Sequence, residues 1–323
     1  MMLKNRWKKA ACLILTIISA VCLGKVDVKA ADYWPDAPET LSPGVILMEE
    51  STGTILYEKN SDEAHYPASI TKIMTTLLAL ENGNLSDMVT FSDDAINNTE
   101  GSGIARDYGE QMTLEQCLYG VMLESANECA YAVAEHVGGT VENFVDMMNA
   151  KAKELGMTNT KWFNASGAAA VSFKGLYTPQ RYDNNAANQT TARDLAILGY
   201  HFVKNYPNIL NYTNKPVVTV KKGTPYEETF ETYNYSLPGA KYGIEGVEGL
   251  KTGSSPRGAF NYIATIKRGE QRLISVIMGV GDWADQNGEY YRHPFGNALI
   301  EKAYADYEYK KIFNAGEQEI NGK

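Results

Sequence analysis

A serine and a lysine three residues apart could form a nucleophile and its base. Ser69 and Lys72 stand at the start of a helical pattern and therefore share one helix face. Serine is a weak nucleophile that needs a neighbouring base, and lysine can serve when burial, a nearby cation or the positive end of the helix dipole disfavours the ammonium form. Free N–H groups at a helix start can also stabilise an oxyanion. The simpler alternative is a serine that caps the helix beside a surface lysine.

A second motif, Ser125-Ala126-Asn127, lies at a break between two helical patterns. In an active site, its hydroxyl could relay a proton and its amide could hydrogen-bond a substrate. The alternative is a plain joint between helices in which Asn127 acts as the cap. The spacing alone leaves both interpretations open.

A third motif, Lys251-Thr252-Gly253, ends a strand-like run and is followed by Ser254. An exposed edge strand can bind an extended peptide. Lys251 and Thr252 would then meet a carboxylate, and Gly253 would let the substrate backbone come close because glycine has no side chain. The alternative is a strand that simply leaves the sheet through a turn.

Each of the three motifs occurs once, in the order and the structural contexts of the acyl-serine signature SxxK, SDN and KTG. The chain resembles the low-molecular-mass penicillin-binding proteins that are serine-type D-alanyl-D-alanine carboxypeptidases, peptidase family S11. The resemblance covers residues 43–309 and is carried by the stretches YPASITKIMT, MLESANECA, MNAKAKELGMTNTKWFNASGA and GVEGLKTG. Ala126 stands where the signature has aspartate, a departure that the carboxypeptidase branch tolerates.

The resemblance implies an enzyme that removes the terminal D-alanine from peptidoglycan stem pentapeptides through an acyl-enzyme, without a cofactor or a metal, and that β-lactams acylate. Ser69 would attack the carbonyl between the two D-alanines, Lys72 would take its proton, and water would hydrolyse the acyl-enzyme. An arginine that assists the substrate carboxylate is also expected, either Arg257 or Arg292. The other implied roles are proton delivery to the leaving D-alanine by Ser125 and Lys251, peptide binding by Asn127 and Gly253, carboxylate binding by Thr252, and an oxyanion hole from the backbone amides of Ser69 and Ser254.

Three alternative functions share these motifs. A transpeptidase would pass the acyl group to an amine, and the sequence hardly separates it from a carboxypeptidase because both enzymes share the acylation step. A β-lactamase would need fast deacylation, yet no E-x-x-L-N pattern lies between Ser125 and Lys251, and Asp183 and Asp194 sit in other contexts. A non-catalytic wall-binding or β-lactam-sensing protein would have no need of the intact motif residues.

The elements that must position these motifs predict a mixed α+β fold. Residues 44–60 form two strand-like runs of a hairpin, and strand signals return after Pro216, so one antiparallel sheet should join both ends of the domain. The resemblance implies the penicillin-binding-protein/serine β-lactamase-like fold, with flanking helices and an inserted helical subdomain. Residues 163–189 predict a long irregular loop. Apolar residues at helical spacing predict helices over residues 69–82, 113–124, 128–137, 141–155, 191–203 and 297–309.

The N-terminal 30 residues have the order of a secretory signal peptide, with basic residues, an apolar run over 10–24 and small residues ending at Ala30. We expect a lead over residues 31–43, a DD-peptidase domain over 44–310, and a tail or the truncated start of a second domain over 311–323. An exported, extracytoplasmic protein follows from this organisation. Membrane attachment stays open because the sequence has no amphipathic anchor after the domain.

Composition excludes several other classes of function. The residues after Ala30 include 24 basic and 38 acidic ones, a formal charge of −14, and no basic patch occurs, so nucleic acid is not an expected partner. The four histidines are scattered and form no HExxH motif, so a metal site is not expected either. Cys117 and Cys129 are interpreted as buried free thiols, with a disulfide as the alternative.

Overall fold

The computed structural model of the chain describes residues 34, 36–97, 101–168, 181–182 and 186–308. The predicted signal peptide and the tail over 311–323 lie outside these residues, as does most of the predicted loop over 163–189. The strands of the described part are β1 (Gly44–Glu49), β2 (Ile55–Lys59), β3 (Met88–Thr90), β4 (Gln111–Thr113), β5 (Val217–Val220), β6 (Glu228–Glu231), β7 (Val247–Ser255), β8 (Ala259–Arg268) and β9 (Gln271–Val280).

Most of the elements between β2 and β5 are helices, with β3 and β4 among them, and a helix is the last element of the described chain. A 3₁₀ turn (Ala68–Thr71) runs directly into the first α-helix, and a second 3₁₀ turn (Pro207–Ile209) runs into a short helix in the same way. The α-helices are α1 (Lys72–Asn82), α2 (Asp93–Ile96), α3 (Leu114–Met122), α4 (Asn127–Gly138), α5 (Val141–Leu155), α6 (Ala192–Asn205), α7 (Leu210–Thr213) and α8 (Gly288–Asp306).

The main sheet is antiparallel and has the strand order β2-β1-β9-β8-β7. The hairpin from the start of the domain thus pairs with the last strand, as the sequence predicted, and β1 lies antiparallel to β9 with Val45 opposite Ile277. Most residues of β8 and β9 are buried because the sheet is covered on both sides. Strand β7 pairs with β8 on one side only and is therefore an edge strand of the sheet.

Two apolar cores lie on the two faces of this sheet. The larger core packs α1, α3, α4, α5 and α6 against one face and contains buried residues such as Leu77 and Trp162. The smaller core packs α8 against the opposite face through residues such as Tyr262 and Leu299. The inserted helices therefore share their core with the sheet, which fixes the start of α1 beside β7.

Local sequence signals explain most of the element boundaries. Thr113 forms a capping box with Gln116 at the start of α3, and the Thr140 hydroxyl accepts a hydrogen bond from the Asn143 N–H at the start of α5. Two predictions were wrong. Helix α8 begins at Gly288 and contains Pro294, so it starts earlier than the predicted residue 297. The strands after Pro216 do not all join one sheet, because β5 and β6 pair only with each other.

The two cysteines of the described residues, Cys117 and Cys129, are buried free thiols, which was the preferred interpretation of the sequence. Cys117 lies in α3 and Cys129 in α4, both within the larger core. Among the helices of the described residues, none is long and apolar enough to cross a membrane.

Candidate active site

Ser69 lies in the 3₁₀ turn that leads into α1, and its side chain is not a helix cap. The N-cap position of this turn is Pro67 and that of α1 is Thr71, so Ser69 does not occupy a cap position. The residue before it, Ala68, has φ +49°, a left-handed conformation that costs energy for a residue other than glycine. Ala68 and Ile70 are buried while Ser69 is half-buried, so the turn presents the serine hydroxyl outward from a rigid base.

Lys72 is fully buried, and its ammonium nitrogen has three oxygen neighbours. The Nζ lies 3.0 Å from the Oγ of Ser69, 2.7 Å from the Oδ1 of Asn127 and 2.7 Å from the backbone oxygen of Ser166. A neutral amine can donate to the last two oxygens, which accept only, and still direct its lone pair at the hydroxyl of Ser69. The geometry therefore suits a base that takes a proton from Ser69.

The surroundings of Lys72 favour its neutral form. Burial lowers the pKa of Lys72 well below its usual range, and the nearby charge of Lys251 lowers it further, whereas Glu128 and Cys129 raise it. Desolvation and a second cation are two of the three causes that the sequence suggested, the third being the helix dipole. A lowered pKa favours the unprotonated amine, which is the form that a general base needs.

Ser125 lies in the joint between α3 and α4, in a strained backbone conformation. Its φ of +58° is again left-handed, and its side chain is 3% exposed. The joint is held because the Ala126 N–H donates to the Gly120 oxygen and the Asn127 N–H donates to the Ser102 oxygen. Among the described residues, the Oγ of Ser125 has no hydrogen-bond partner. A buried hydroxyl of this kind is unusual and marks the joint as a candidate substrate contact.

Lys251 and Thr252 lie on the edge strand β7 with side chains 2% and 5% exposed. The pKa of Lys251 is lowered to about 7, because burial and the charge of Arg292 lower it more than the carboxylates of Glu289 and Glu124 raise it. Lys251 also lowers the pKa of Lys72, so the first and third motifs lie close enough to influence each other. Near neutral pH, Lys251 can therefore bind a carboxylate as a cation or donate a proton.

Glycine is required at position 253 for a packing reason that the sequence interpretation missed. A Cβ at this position would lie 2.5 Å from the Pro67 oxygen and 2.9 Å from the Ile70 nitrogen. Only glycine therefore lets β7 pack against the turn that carries Ser69. Close approach of a substrate backbone, the predicted reason, is a separate requirement.

Arg292 of α8 reaches the end of β7 from the opposite face of the sheet. Its Nη1 donates to the Oγ of Ser254 over 2.8 Å, and its Nη2 donates to the carboxylate of Glu289. The guanidinium is almost fully buried, whereas Arg257 is exposed in the turn between β7 and β8. Of the two arginines that the sequence offered, Arg292 is the one placed beside the third motif.

Two groups at the site had no signal in the sequence. The Ser166 backbone oxygen is one of the acceptors for Lys72, and a backbone carbonyl cannot be identified from residue types. Asn188 is the other group: it is buried, its Oδ1 accepts from the N–H groups of Phe163 and Asn164, and its Nδ2 donates to the hydroxyl of Thr71. Asn188 thereby ties the segment before Ser166 to the turn that carries Ser69.

The arrangement as a whole combines a presented serine hydroxyl, a buried amine aimed at it, and an open strand edge with a cation beside it. With a substrate that lies along β7, such a set can form an ester on the serine of the protein and then hydrolyse it. Comparison with known proteins points to the same chemistry. The family model of D-alanyl-D-alanine carboxypeptidase, peptidase S11, matches residues 32–282. The chain belongs to this family.

Relatives in the S11 family include D-alanyl-D-alanine carboxypeptidase DacF of Bacillus subtilis, which is 33% identical over 83% of this chain and 63% of DacF. The chain thus spans less than two thirds of the length of DacF. Its fold is similar to that of PBP3 from Streptococcus pneumoniae, described as a peptidoglycan synthesis regulatory factor, with a TM-score of 0.75 and 31% identity over 83% of this chain and 72% of that chain.

A second solved structure is penicillin-binding protein D2 from Listeria monocytogenes in its ampicillin-bound form. It has a TM-score of 0.65 and 25% identity, over 83% of this chain and 100% of that chain. These likenesses confirm the predicted penicillin-binding-protein fold. The antiparallel sheet with flanking helices is the framework that holds the S11 motif residues together.

Proposed function

We propose that this protein is a serine-type D-alanyl-D-alanine carboxypeptidase that removes the terminal D-alanine from peptidoglycan stem peptides. The observation that carries the proposal is the buried Nζ of Lys72, held by Asn127 and Ser166 and lying 3.0 Å from the Oγ of Ser69. Membership of the S11 family supports the substrate class.

The reaction follows from the charges and donors of the site. Ser69 Oγ attacks the carbonyl between the two D-alanines as its proton passes to Lys72, and the backbone amides of Ser69 and Ser254 stabilise the oxyanion. Ser125 and Lys251 deliver a proton to the amine of the leaving D-alanine, and Asn127 orients the peptide. Water then hydrolyses the ester and restores the serine.

The substrate carboxylate would bind at the end of β7. Thr252 supplies a hydroxyl there, and the Arg292 guanidinium, which already donates to the Oγ of Ser254, supplies buried positive charge. The carboxylate of the terminal D-alanine would thus bind a guanidinium whose position is fixed, because Arg292 is buried between α8 and the sheet. Gly253 leaves the strand edge clear for the substrate backbone.

β-Lactams should acylate the same serine, because a β-lactam presents a strained amide and a carboxylate at the positions of the D-Ala-D-Ala terminus. The ampicillin-bound form of penicillin-binding protein D2 supports this partner class. An extracytoplasmic site of action is proposed on the same grounds, since peptidoglycan lies outside the cytoplasmic membrane. The predicted signal peptide over residues 1–30 agrees with that location.

The decisive experiment measures D-alanine release from a pentapeptide stem, with labelling by a fluorescent penicillin in parallel. Wild-type protein should release D-alanine and take up the label, and Ser69→Ala should do neither. Ser86→Ala, which changes an exposed serine, is the matched control and should behave as wild type. A wild-type protein that binds peptidoglycan and takes up no label would be a binding protein, and the enzyme proposal would fail.

Product analysis separates the remaining alternatives. A free tetrapeptide acid indicates a carboxypeptidase, and a peptide joined to an added amine indicates a transpeptidase. A β-lactamase would release hydrolysed penicillin at a high rate. Asp194, one of the carboxylates considered for that role, is buried and accepts hydrogen bonds from the Asn159 N–H and the Thr160 hydroxyl, which argues for a structural role instead.

A further inference from the structure

Glu289 of α8 lies against the end of the third motif, and the reaction described above does not use it. Its Oε1 accepts a hydrogen bond from the Nη2 of Arg292, and its Oε2 accepts from the Ser254 hydroxyl over 3.4 Å. The same hydroxyl accepts from the Nη1 of Arg292 over 2.8 Å, so the three side chains close a ring of hydrogen bonds. A carboxylate of the protein thus already lies on the guanidinium that is proposed to bind the substrate carboxylate.

The other contacts of the Arg292 guanidinium are fixed by the sheet. Its Nη1 also donates to the backbone oxygens of Gly253 and Asn261, over 3.4 Å and 3.3 Å, and these two residues lie opposite each other in the pairing of β7 with β8. The Arg292 side chain is 2% exposed, and its Nε is buried without a hydrogen-bond partner among the described residues. A carboxylate that arrives along β7 therefore binds this guanidinium directly by taking the place of a present acceptor.

Among these acceptors, Glu289 is the one that can move. Backbone oxygens of paired strands are fixed, and Ser254 is held within β7. Glu289 lies in the first turn of α8, close to the exposed residues 284–287, and its side chain is 24% exposed. Rotation of this side chain would take its carboxylate into water, so its release from Arg292 would not leave a charge buried.

We propose that Glu289 is a specificity-determining residue: its carboxylate occupies Arg292 in the free protein, and the carboxylate of the terminal D-alanine displaces it on binding. The proposal rests on the function proposed above, because it concerns the substrate that this function assigns. A substrate without a terminal carboxylate leaves the contact between Glu289 and Arg292 intact and gains nothing from the guanidinium.

The exchange has a consequence for affinity whose sign can be measured. One contact between a carboxylate and the guanidinium forms as another breaks, so only the difference between their free energies contributes to substrate binding. Removing the charge of Glu289 should therefore tighten the binding of free acids. If Glu289 merely held Arg292 in position, the same change would weaken their binding.

The test measures KM and kcat for wild type and Glu289→Gln on a pentapeptide stem with a free terminal carboxylate and on the same peptide with a C-terminal amide. Glutamine keeps the size of the side chain and an oxygen for Arg292 but removes the charge. The KM for the free acid should fall about three- to tenfold, because this ion pair is more buried than an ordinary surface pair. The KM for the amide should change much less, and Glu289→Asp, which retains a carboxylate, should stay closer to wild type.

Glu301→Gln is the matched control, because Glu301 lies on the same helix and forms an ion pair with Arg268 at the opposite end of β8. It changes the net charge by the same amount and should leave the KM for both peptides unchanged. A Glu289→Gln protein that has wild-type thermal stability and an unchanged or higher KM for the free acid would overturn the proposal. A wild-type protein that releases no D-alanine and takes up no penicillin would instead overturn the proposed function itself.

The Arg292→Lys background gives a second test, because an ammonium lacks the planar pair of donors that binds a carboxylate. Glu289→Gln should lower the KM for the free acid much less in this background than in wild type. Glu289 also raises the pKa of Lys251 through space, but that effect is present in both backgrounds and cancels from the comparison. Equal gains in both backgrounds would show that Glu289 repels the substrate carboxylate from a distance without exchanging with it, which contradicts the proposal.

Discussion

The Nζ of Lys72 lies 2.7 Å from the Oδ1 of Asn127, and this contact joins two motifs that are 55 residues apart in the chain. A buried lysine loses the hydration of its charge, so its folded position depends on acceptors that the protein must supply. Asn127 supplies one of them from the start of α4, and Ser166 supplies another from the segment beyond α5. The Lys72 amine is therefore held as a base only where three separate parts of the chain meet. Burying it for this role lowers the stability of the fold.

Replacement of Lys251 by methionine should stabilise the fold and abolish most of the activity. The pKa of Lys251 is lowered to about 7, so below that pH the folded protein holds a buried charge at a cost of a few kcal/mol, by about 1.4 kcal/mol per pKa unit. Methionine has a similar volume and no charge. The measurement is the free energy of unfolding from urea denaturation, together with the acylation rate.

The pH dependence of this gain has a definite sign. Between about pH 7 and the unfolded pKa, the unfolded chain binds a proton at Lys251 that the folded protein lacks, so wild-type stability rises with pH over that window. The advantage of Lys251→Met should therefore be largest below pH 7 and roughly halved by pH 9. Lys302→Met, at a partly exposed ion pair of α8, is the control and should show no such trend. An advantage that grows with pH would contradict this assignment.

Arg292 and Arg257 should differ in their effect on substrates that end in a carboxylate. Arg292→Lys removes the donor pair that holds Ser254 and Glu289, so the KM for a peptide with a free terminal carboxylate should rise roughly 10- to 100-fold, the value of a hydrogen bond to a charged group. Arg257 is exposed in the turn after β7, and Arg257→Lys should leave the KM near that of wild type.

The comparison substrate for this prediction is the same peptide with a C-terminal amide. Wild type and Arg257→Lys should prefer the free acid strongly, whereas Arg292→Lys should lose most of that preference. Equal preference in all three proteins would mean that neither arginine reads the carboxylate.

Asn188 should be as important for the site as a residue that touches the substrate. Asn188→Leu removes five hydrogen bonds, one to Phe163, three to Asn164 and one to Thr71, and four of them are buried, which should cost about 2–4 kcal/mol of unfolding free energy. The acylation rate should fall as well, because the Ser166 oxygen would no longer be fixed against Lys72. Asn205→Leu, an exposed position at the end of α6, is the control for both measurements.

Periodicity and capping signals were sufficient for the parts of this fold that form locally. Helix α5 begins and ends at the predicted residues because Thr140 caps one end and Gly156 adopts the left-handed conformation after the other. Helix α8 was placed too late because Pro294 and polar residues in its first half look like a break. There the packing of α8 on the sheet overrides the local preference.

The residues of the candidate site likewise fall into those that the sequence could predict and those that it could not. Ser69, Lys72 and Asn127 were predicted because each carries a recognisable side chain at a recognisable spacing, and the structure does bring these residues into contact. The Ser166 carbonyl was not predictable, since every residue has one. Nor was the choice of Arg292 over Arg257, because α8 approaches β7 only through the tertiary fold. A short sequence motif contains no information about which distant segments the fold brings beside it.

Gly253→Ala should separate the two reasons for glycine at the end of the third motif. If glycine were needed only for the approach of substrate, an added methyl group would slow acylation and leave stability unchanged. The Cβ would however lie 2.5 Å from the Pro67 oxygen, so β7 and the turn that carries Ser69 must move apart. We expect both a lower melting temperature and an acylation rate at least about 100-fold lower, because misplacing reacting groups by an ångström costs that much.

Gly269→Ala is the matched control, since Gly269 has φ +57° in the hairpin between β8 and β9 and open space around its Cα. It should lower stability by about 1 kcal/mol through backbone strain alone and leave acylation intact. The informative comparison is therefore between two Gly→Ala proteins of reduced stability, of which one alone loses activity. Wild-type stability in Gly253→Ala would show that the contact with Pro67 relaxes freely, and the packing explanation of this glycine would be wrong.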